Sequence, residues 1–146
     1  MATLTRDNLG FLLAKAEQRW NELLYRGFCR ANYHEIRPAY GSVLVPLFEE
    51  DGLRIGELAK RSRMSKQTMT TLIRHMGRKK LVVRKQDAVD GRASRVYLTV
   101  RTRRFRAIAE KVLRRLDNCV ATALGAAQTN ELKHLLKKIQ EVSYES

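Results

Sequence analysis

Two short apolar repeats with a three-residue gap, followed at once by a strand–turn–strand pattern, constrain this chain most. In IGELAKRSRMSKQTMTTLIRHMGRKK, Ile55, Leu58 and Ala59 mark one short helix. Met69, Leu72, Ile73 and Met76 mark the inner face of a second, with Ser65 placed to cap it. Ser62 to Met64 lie between them, a spacing that predicts a helix-turn-helix. KLVVRKQDAVDGRASRVYLTV then reads as a hairpin from Lys80 to Val100, bent at Asp90-Gly91, where glycine eases the turn. Together they predict a winged helix: mostly α with a small β-hairpin, flanked by whatever the rest of the chain supplies.

The rest supplies long helices. Leu9, Leu12, Leu13, Ala16, Trp20, Leu23, Leu24, Phe28 and Ala31 recur at three- and four-residue steps, predicting a helix over about 7–31 capped by Thr5 or Asp7. Pro38 opens a second helix in which Pro46 predicts a kink or an early end, and Asp51-Gly52 closes it. After Thr99, a candidate cap, a stripe runs Phe105, Ile108, Ala109, Val112, Leu116, Val120, Ala123, Ala127. Gly125 suggests a break, with Thr129 or Asn130 capping a last helix through Leu132, Leu135, Leu136, Ile139 and Val142. Two separated apolar helices on a small winged helix leave more apolar surface than its core needs, which points to a dimer.

Charge locates the working surface. Residues 54–106 hold 17 Lys+Arg against 3 Asp+Glu, net +14; residues 1–53 are net −1 and residues 107–146 net +1. A surplus confined to the segment carrying the winged helix is the footprint of a polyanion, and double-stranded DNA fits that scaffold. The second helix of such a pair enters the major groove, about 12 Å wide. Lys66, Gln67, Thr70, Thr71 and Arg74 fall opposite its apolar face, where Gln suits adenine, Arg or Lys guanine, and a Thr methyl thymine. Thr68 and the amides behind Ser65 suit phosphate. On the hairpin, Arg92 at the tip would enter a minor groove, with Arg84, Lys85 and Arg95 along phosphate and Lys80 beside them, opposed only by Asp87 and Asp90.

These residues resemble the MarR family of bacterial transcription regulators. The likeness lies in IGELAKRSRMSKQTMTTLI, in KLVVRK, and in Asp87…Asp90-Gly91-Arg92 closing on Val96-Tyr97-Leu98-Thr99. It implies one domain over 1–146: a DNA-binding lobe over 36–100, and dimerisation helices over 5–33 and 101–145. It further implies a homodimer on a pseudo-palindromic operator, with Asp90 orienting the wing and Arg92 in the minor groove. A small aromatic effector is implied in a cleft near Trp20, Tyr33, His34 and Tyr40, with Tyr25 close by. Three departures stand out: Arg74 where the family commonly has an acidic residue, Lys80 where it has a glycine, and no glycine near Thr102. Gly77 suggests a recognition helix that ends a turn early.

Other classes lack their residues. His34-Glu35 begins like HExxH, but Pro38 takes its fifth position, so no metal site is expected, and no nucleophile–base arrangement or phosphate-cradling loop appears. Nothing calls for a cofactor or an enzymatic role. Cys29 and Cys119 read as packed thiols rather than as the peroxide sensors some family members carry. MATLTRDNLGF lacks the apolar core of a signal peptide, and no apolar run nears the ~18 residues that span a bilayer, so the expectation is a cytoplasmic protein with no membrane partner. The reading is therefore a DNA-binding repressor. The competing one is an architectural protein that coats DNA through phosphate alone; a winged helix used for protein contacts would not need the charged wing.

Overall fold

The computed structural model describes residues 4–144; residues 1–3 and 145–146 lie outside it, and with them the first residues of the N-terminal stretch and the last residue of the expected dimerisation segment. The order is α1 (Leu9–Arg30), a 3₁₀ turn (Pro38–Tyr40), α2 (Gly41–Glu49), β1 (Leu53–Arg54), α3 (Ile55–Arg61), α4 (Lys66–Arg78), β2 (Val82–Gln86), β3 (Ser94–Leu98), α5 (Val100–Leu124) and α6 (Ala126–Ile139). The helix-turn-helix is α3 and α4, and the wing is β2 and β3. The sequence pattern missed β1, two residues long, which makes the sheet three-stranded and antiparallel in the order β1-β3-β2.

The core forms where the periodicity placed it. Met69, Ile73 and Met76 of α4 are fully buried against Leu58 of α3, Val43 and Leu47 of α2, and Leu81 and Val96 at the sheet. Leu24 and Phe28 of α1 continue it onto Phe105 and Leu116 of α5, with Phe28 meeting Phe105 edge-to-face at 4.7 Å between ring centres. Gly27 lets α1 and α5 come that close, since a Cβ there would lie 2.5 Å from Val112 Cγ1. Gly52 at +76° follows Asp51 at the turn into β1, and a Cβ on it would meet the Tyr97 ring at 2.7 Å.

Helix ends differ from expectation in instructive ways. α1 is capped by Asn8, whose side chain accepts from the Gly10 N–H at 3.0 Å, while Thr5 accepts from Asp7 one turn earlier. Thr99 holds the cap position of α5, but its hydroxyl instead donates to the Leu81 carbonyl, as does that of buried Thr102. α6 starts directly after Gly125, so neither Thr129 nor Asn130 caps it, Ala127 belongs to α6, and Val142 lies past its end. Pro46 sits inside α2, which continues to Glu49. Proline has no N–H to give the Ser42 carbonyl, and the Ser62 hydroxyl, from the end of α3, donates to it.

α1, α3 and α4 all close in the same way, each on a left-handed residue that is not glycine: Asn32 (φ 66°), Arg63 (φ 51°) and Lys80 (φ 59°). At α4 the Lys80 N–H reaches the Gly77 carbonyl and the Leu81 N–H the Met76 carbonyl, both at 3.0 Å. Those two bonds with an apolar residue tucked under the last turn form a Schellman motif. Gly77 therefore does not end α4; the helix runs through it to Arg78.

Candidate nucleic-acid interface

The start of α4 is built by Ser65. Its hydroxyl accepts from the Thr68 N–H at 3.0 Å and donates to Thr68 Oγ1 at 2.8 Å, so Ser65 and Thr68 satisfy one another at the helix N-terminus. Burial of Met69, Ile73 and Met76 turns Lys66, Gln67, Thr71 and Arg74 outward as exposed residues, with Thr70 half-buried. α4 runs through Gly77 to Arg78, and exposed His75 and Arg78, which were not among the expected reading residues, extend the same surface.

The wing rests on one carboxylate. In register, Arg54 of β1 pairs with Arg95 of β3, and Arg95 with Lys85 of β2, placing three cations in a row across one face of the sheet. Like charges directly opposite repel. Asp87, with 3% of its side chain exposed, answers them: it accepts from Arg54 Nε and Nη2 at 3.0 and 2.8 Å and from Arg95 Nε at 3.0 Å. The Val89 N–H adds a bond at 2.9 Å. This backbone donor, then Arg54 and the Arg95 charge, outweigh the cost of burial and hold the carboxyl down to about 2. Lys85 escapes over the Tyr97 ring, 5.2 Å from its centre.

Asp90 acts nearer the tip. Its carbonyl accepts from the Ala93 N–H at 3.0 Å and its side chain from the Arg92 N–H at 3.1 Å, closing a four-residue turn that holds Arg92 outward. Gly91 does not have a left-handed φ, so the turn does not depend on glycine as the sequence reading supposed. Arg84 and Lys85 are exposed on β2. Arg95 is placed differently from the phosphate contact expected of it: besides Asp87 it donates to the Gly52 carbonyl at 2.9 Å, tying the wing to the turn before β1. Arg54, 33 residues from Asp87, is the wing-ordering side chain that no sequence cue pointed to.

Ion pairing sorts the basic surplus. Of the 17 basic residues in 54–106, Arg54, Arg61, Arg95, Arg101, Arg103 and Arg106 meet carboxylates and staple the fold. Among the described residues, eleven have no such partner: Lys66, Arg74, Arg78, Lys79, Lys80, Arg84, Lys85 and Arg92 lie on α4, its terminus or the wing, and Lys60, Arg63 and Arg104 lie on α3, the turn after it and α5. Eight of the eleven cations left over after internal pairing in 54–106 thus belong to α4, its terminus and the wing.

The aromatic candidates differ in their settings. Tyr33 lies 5.0 Å from Phe105 with Arg101 over its ring, buried Tyr40 carries Lys79 at 4.9 Å, His34 is exposed, and Trp20 packs on the core. Tyr25 donates to the His34 carbonyl at 2.6 Å. A cleft of ≈ 310 Å³ opens elsewhere, lined by Leu47, Phe48, Asp51, Leu98, Arg103 and Arg106. Cys29 is partly buried, but Cys119 is exposed on α5, so it is not the packed thiol expected. No group of His, Cys, Asp and Glu among the described residues could hold a metal ion, and no helix there is long and apolar enough to cross a membrane.

A sequence model of the MarR family matches residues 38–94. The HTH-type transcriptional repressor Rv2887 of Mycobacterium tuberculosis is 33% identical over 93 residues, covering 64% of this chain and 67% of that protein. The PcaV transcriptional regulator of Streptomyces coelicolor, solved with its natural ligand, superposes with a TM-score of 0.80 at 21% identity, over 99% of this chain and 100% of its own. CouR of Rhodococcus jostii RHA1, a transcriptional repressor solved on a 23-mer DNA duplex, gives 0.79 at 23% identity, over 96% of this chain and 100% of its own.

Proposed function

This chain belongs to the MarR family of DNA-binding regulators, and from that premise we propose that it is a homodimeric repressor of a pseudo-palindromic operator. The observation that carries the reading is the sorting of charge: of the eleven cations in 54–106 without carboxylate partners, eight lie on α4, its terminus or the wing, where DNA can be engaged. In the proposed complex, Ser65 and Thr68 meet phosphate, and Lys66, Gln67, Thr70, Thr71 and Arg74 face base edges in the major groove. Arg92 enters the minor groove with Asp90 holding its turn. Arg84 and Lys85 follow the backbone, and Arg95 contributes chiefly by holding the wing.

A second copy is proposed to cover the terminal helices, which leaves residues 36–100 as the reading lobe. α6 has no buried residue, and Leu132, Leu135, Leu136 and Ile139 are 38–45% exposed along it. Leu9, Phe11 and Leu12 leave the start of α1 uncovered as well. A helix whose apolar stripe stays exposed is stabilised by a partner that covers it. Two recognition helices so joined would meet half-sites about 34–36 Å apart.

Relief by a small aromatic effector is part of the proposal, supported by the ligand-bound state of PcaV and by Trp20, Tyr33, His34 and Tyr40 on α1 and the segment leading to α2. Release of bound DNA by hydroxylated benzoic or cinnamic acids, lost in Trp20→Ala, supports it; no release across such a panel removes it.

The regulator reading is tested by selecting genomic fragments with purified protein at physiological salt, where phosphate-only binding is weak. A short inverted repeat, favoured by about 10³ or more over other DNA, is the expected result. Fragments without a shared motif would replace the operator reading with the architectural one.

A further inference from the structure

Two threonines on the groove-facing half of α4 do not keep their hydroxyl protons for DNA. Thr71 Oγ1 donates to the Gln67 carbonyl at 3.1 Å, and Thr70 Oγ1 to the Lys66 carbonyl at 2.8 Å. Bonding back to the carbonyl four residues earlier selects one staggered rotamer of a side chain already stiff at χ1. With its oxygen turned onto the helix, the side chain offers its Cγ2 methyl outward. Thr71 is exposed and Thr70 half-buried, so the Thr71 methyl is the freer of the two. Gln67 lies one turn before it and Arg74 a turn after, both exposed. The reading face therefore carries an apolar spot between two hydrogen-bonding side chains.

We propose that Thr71 selects a thymine in each half-site by packing its Cγ2 methyl against the thymine C5-methyl, while Gln67 reads the neighbouring base. The inference rests on the operator reading above and assigns part of that operator's content. The C5-methyl is the apolar feature that the major groove offers, and cytosine lacks it. A threonine reading through its hydroxyl would instead accept or donate to any base edge with a matching polar atom, and would not discriminate by methyl. Removing one buried methyl contact corresponds to about a fourfold loss of affinity.

The experiment measures binding of wild type, Thr71→Val and Thr71→Ser to the selected inverted repeat and to copies carrying deoxyuridine in place of each thymine pair in turn. Circular dichroism of both variants confirms that α4 is intact. Thr71→Val, which keeps the methyl and loses the hydroxyl, is expected to bind within twofold of wild type. Thr71→Ser is expected to lose about fourfold per half-site. One deoxyuridine substitution should cause the same loss in wild type and none further in Thr71→Ser. A tenfold loss in Thr71→Val with Thr71→Ser unchanged would make the hydroxyl the reader and overturn the proposal. Deoxyuridine tolerated at every position would overturn it too, while leaving the operator reading standing. Binding without any preferred sequence removes both.

Discussion

Lys80→Gly is expected to stabilise this protein, although it deletes a side chain and adds glycine. Lys80 sits at φ 59°, one residue past the C-cap of α4, where the Schellman bonds from Lys80 and Leu81 hold it in place. A Cβ in left-handed helical backbone costs roughly 1–2 kcal/mol. Glycine escapes that cost but gives the unfolded chain more freedom, which takes back roughly 0.5–1 kcal/mol. The net gain is about 0.5–1 kcal/mol. An unfolding entropy of roughly 2.1 cal/mol/K per residue over the 146 residues converts this into a rise of about 2–3 °C in Tm. The comparison is Lys80→Ala, which loses the same exposed charge but keeps the Cβ, so the difference between the two variants isolates the backbone. Thermal and urea unfolding at one fixed protein concentration measure it, because the Tm of the proposed dimer would depend on concentration. Asn32→Gly should gain less, since asparagine tolerates this conformation better than lysine. If Lys80→Gly unfolds no later than Lys80→Ala, no backbone strain is stored at that turn.

Three further outcomes follow from the packing and the charges. Gly27→Ala should cost about 1–3 kcal/mol by driving a Cβ into Val112, whose branched side chain has no easy alternative rotamer, and Val112→Ala should rescue it in a double-mutant cycle. Asp87 has a folded pKa near 2 against an ordinary 3.8, so its contribution to wing order is complete above the carboxylate range and is lost as pH falls through about 2. Asp87→Asn should therefore speed hydrogen exchange of wing amides at neutral pH and abolish the change seen in wild type between about pH 4 and 2; a wild-type wing unchanged over that interval contradicts the assignment. Arg92→Ala should weaken binding most at A·T-rich flanks, with equal loss at all flanks excluding the minor groove, and Gln67→Ala should relax preference at one position per half-site.

How legible the site was depends on sequence distance. Met69, Ile73 and Met76 lie within eight residues, so their periodicity displayed the buried face of α4, and the outward face followed by exclusion. Ser65 was readable as a cap because its partner, Thr68, is three residues away. The wing's two strands announced themselves, but β1 did not: two residues are too few to show alternation, and Leu53-Arg54 becomes a strand by pairing with Val96 and Arg95. Thr99 looked like a cap and sits where one belongs, yet its hydroxyl is drawn to the Leu81 carbonyl 18 residues earlier.

The chain's own order thus determined a winged helix between amphipathic helices, because hydrophobic period is a local quantity that each segment carries by itself. It also determined that basic charge concentrates in the middle third. What only the tertiary structure decided is which of those charges remain available. Arg54 and Arg95 look no different in sequence from Arg84 and Arg92, but the sheet brings the first two onto Asp87, where their attraction to one buried carboxylate outweighs repulsion between them. The same holds for the turns at Arg63 and Lys80, where two hydrogen bonds and an apolar neighbour packed on the core impose a backbone conformation that neither residue prefers. Local pattern specifies elements; pairing across the fold then decides which charged side chains are tied into the structure and which stay available.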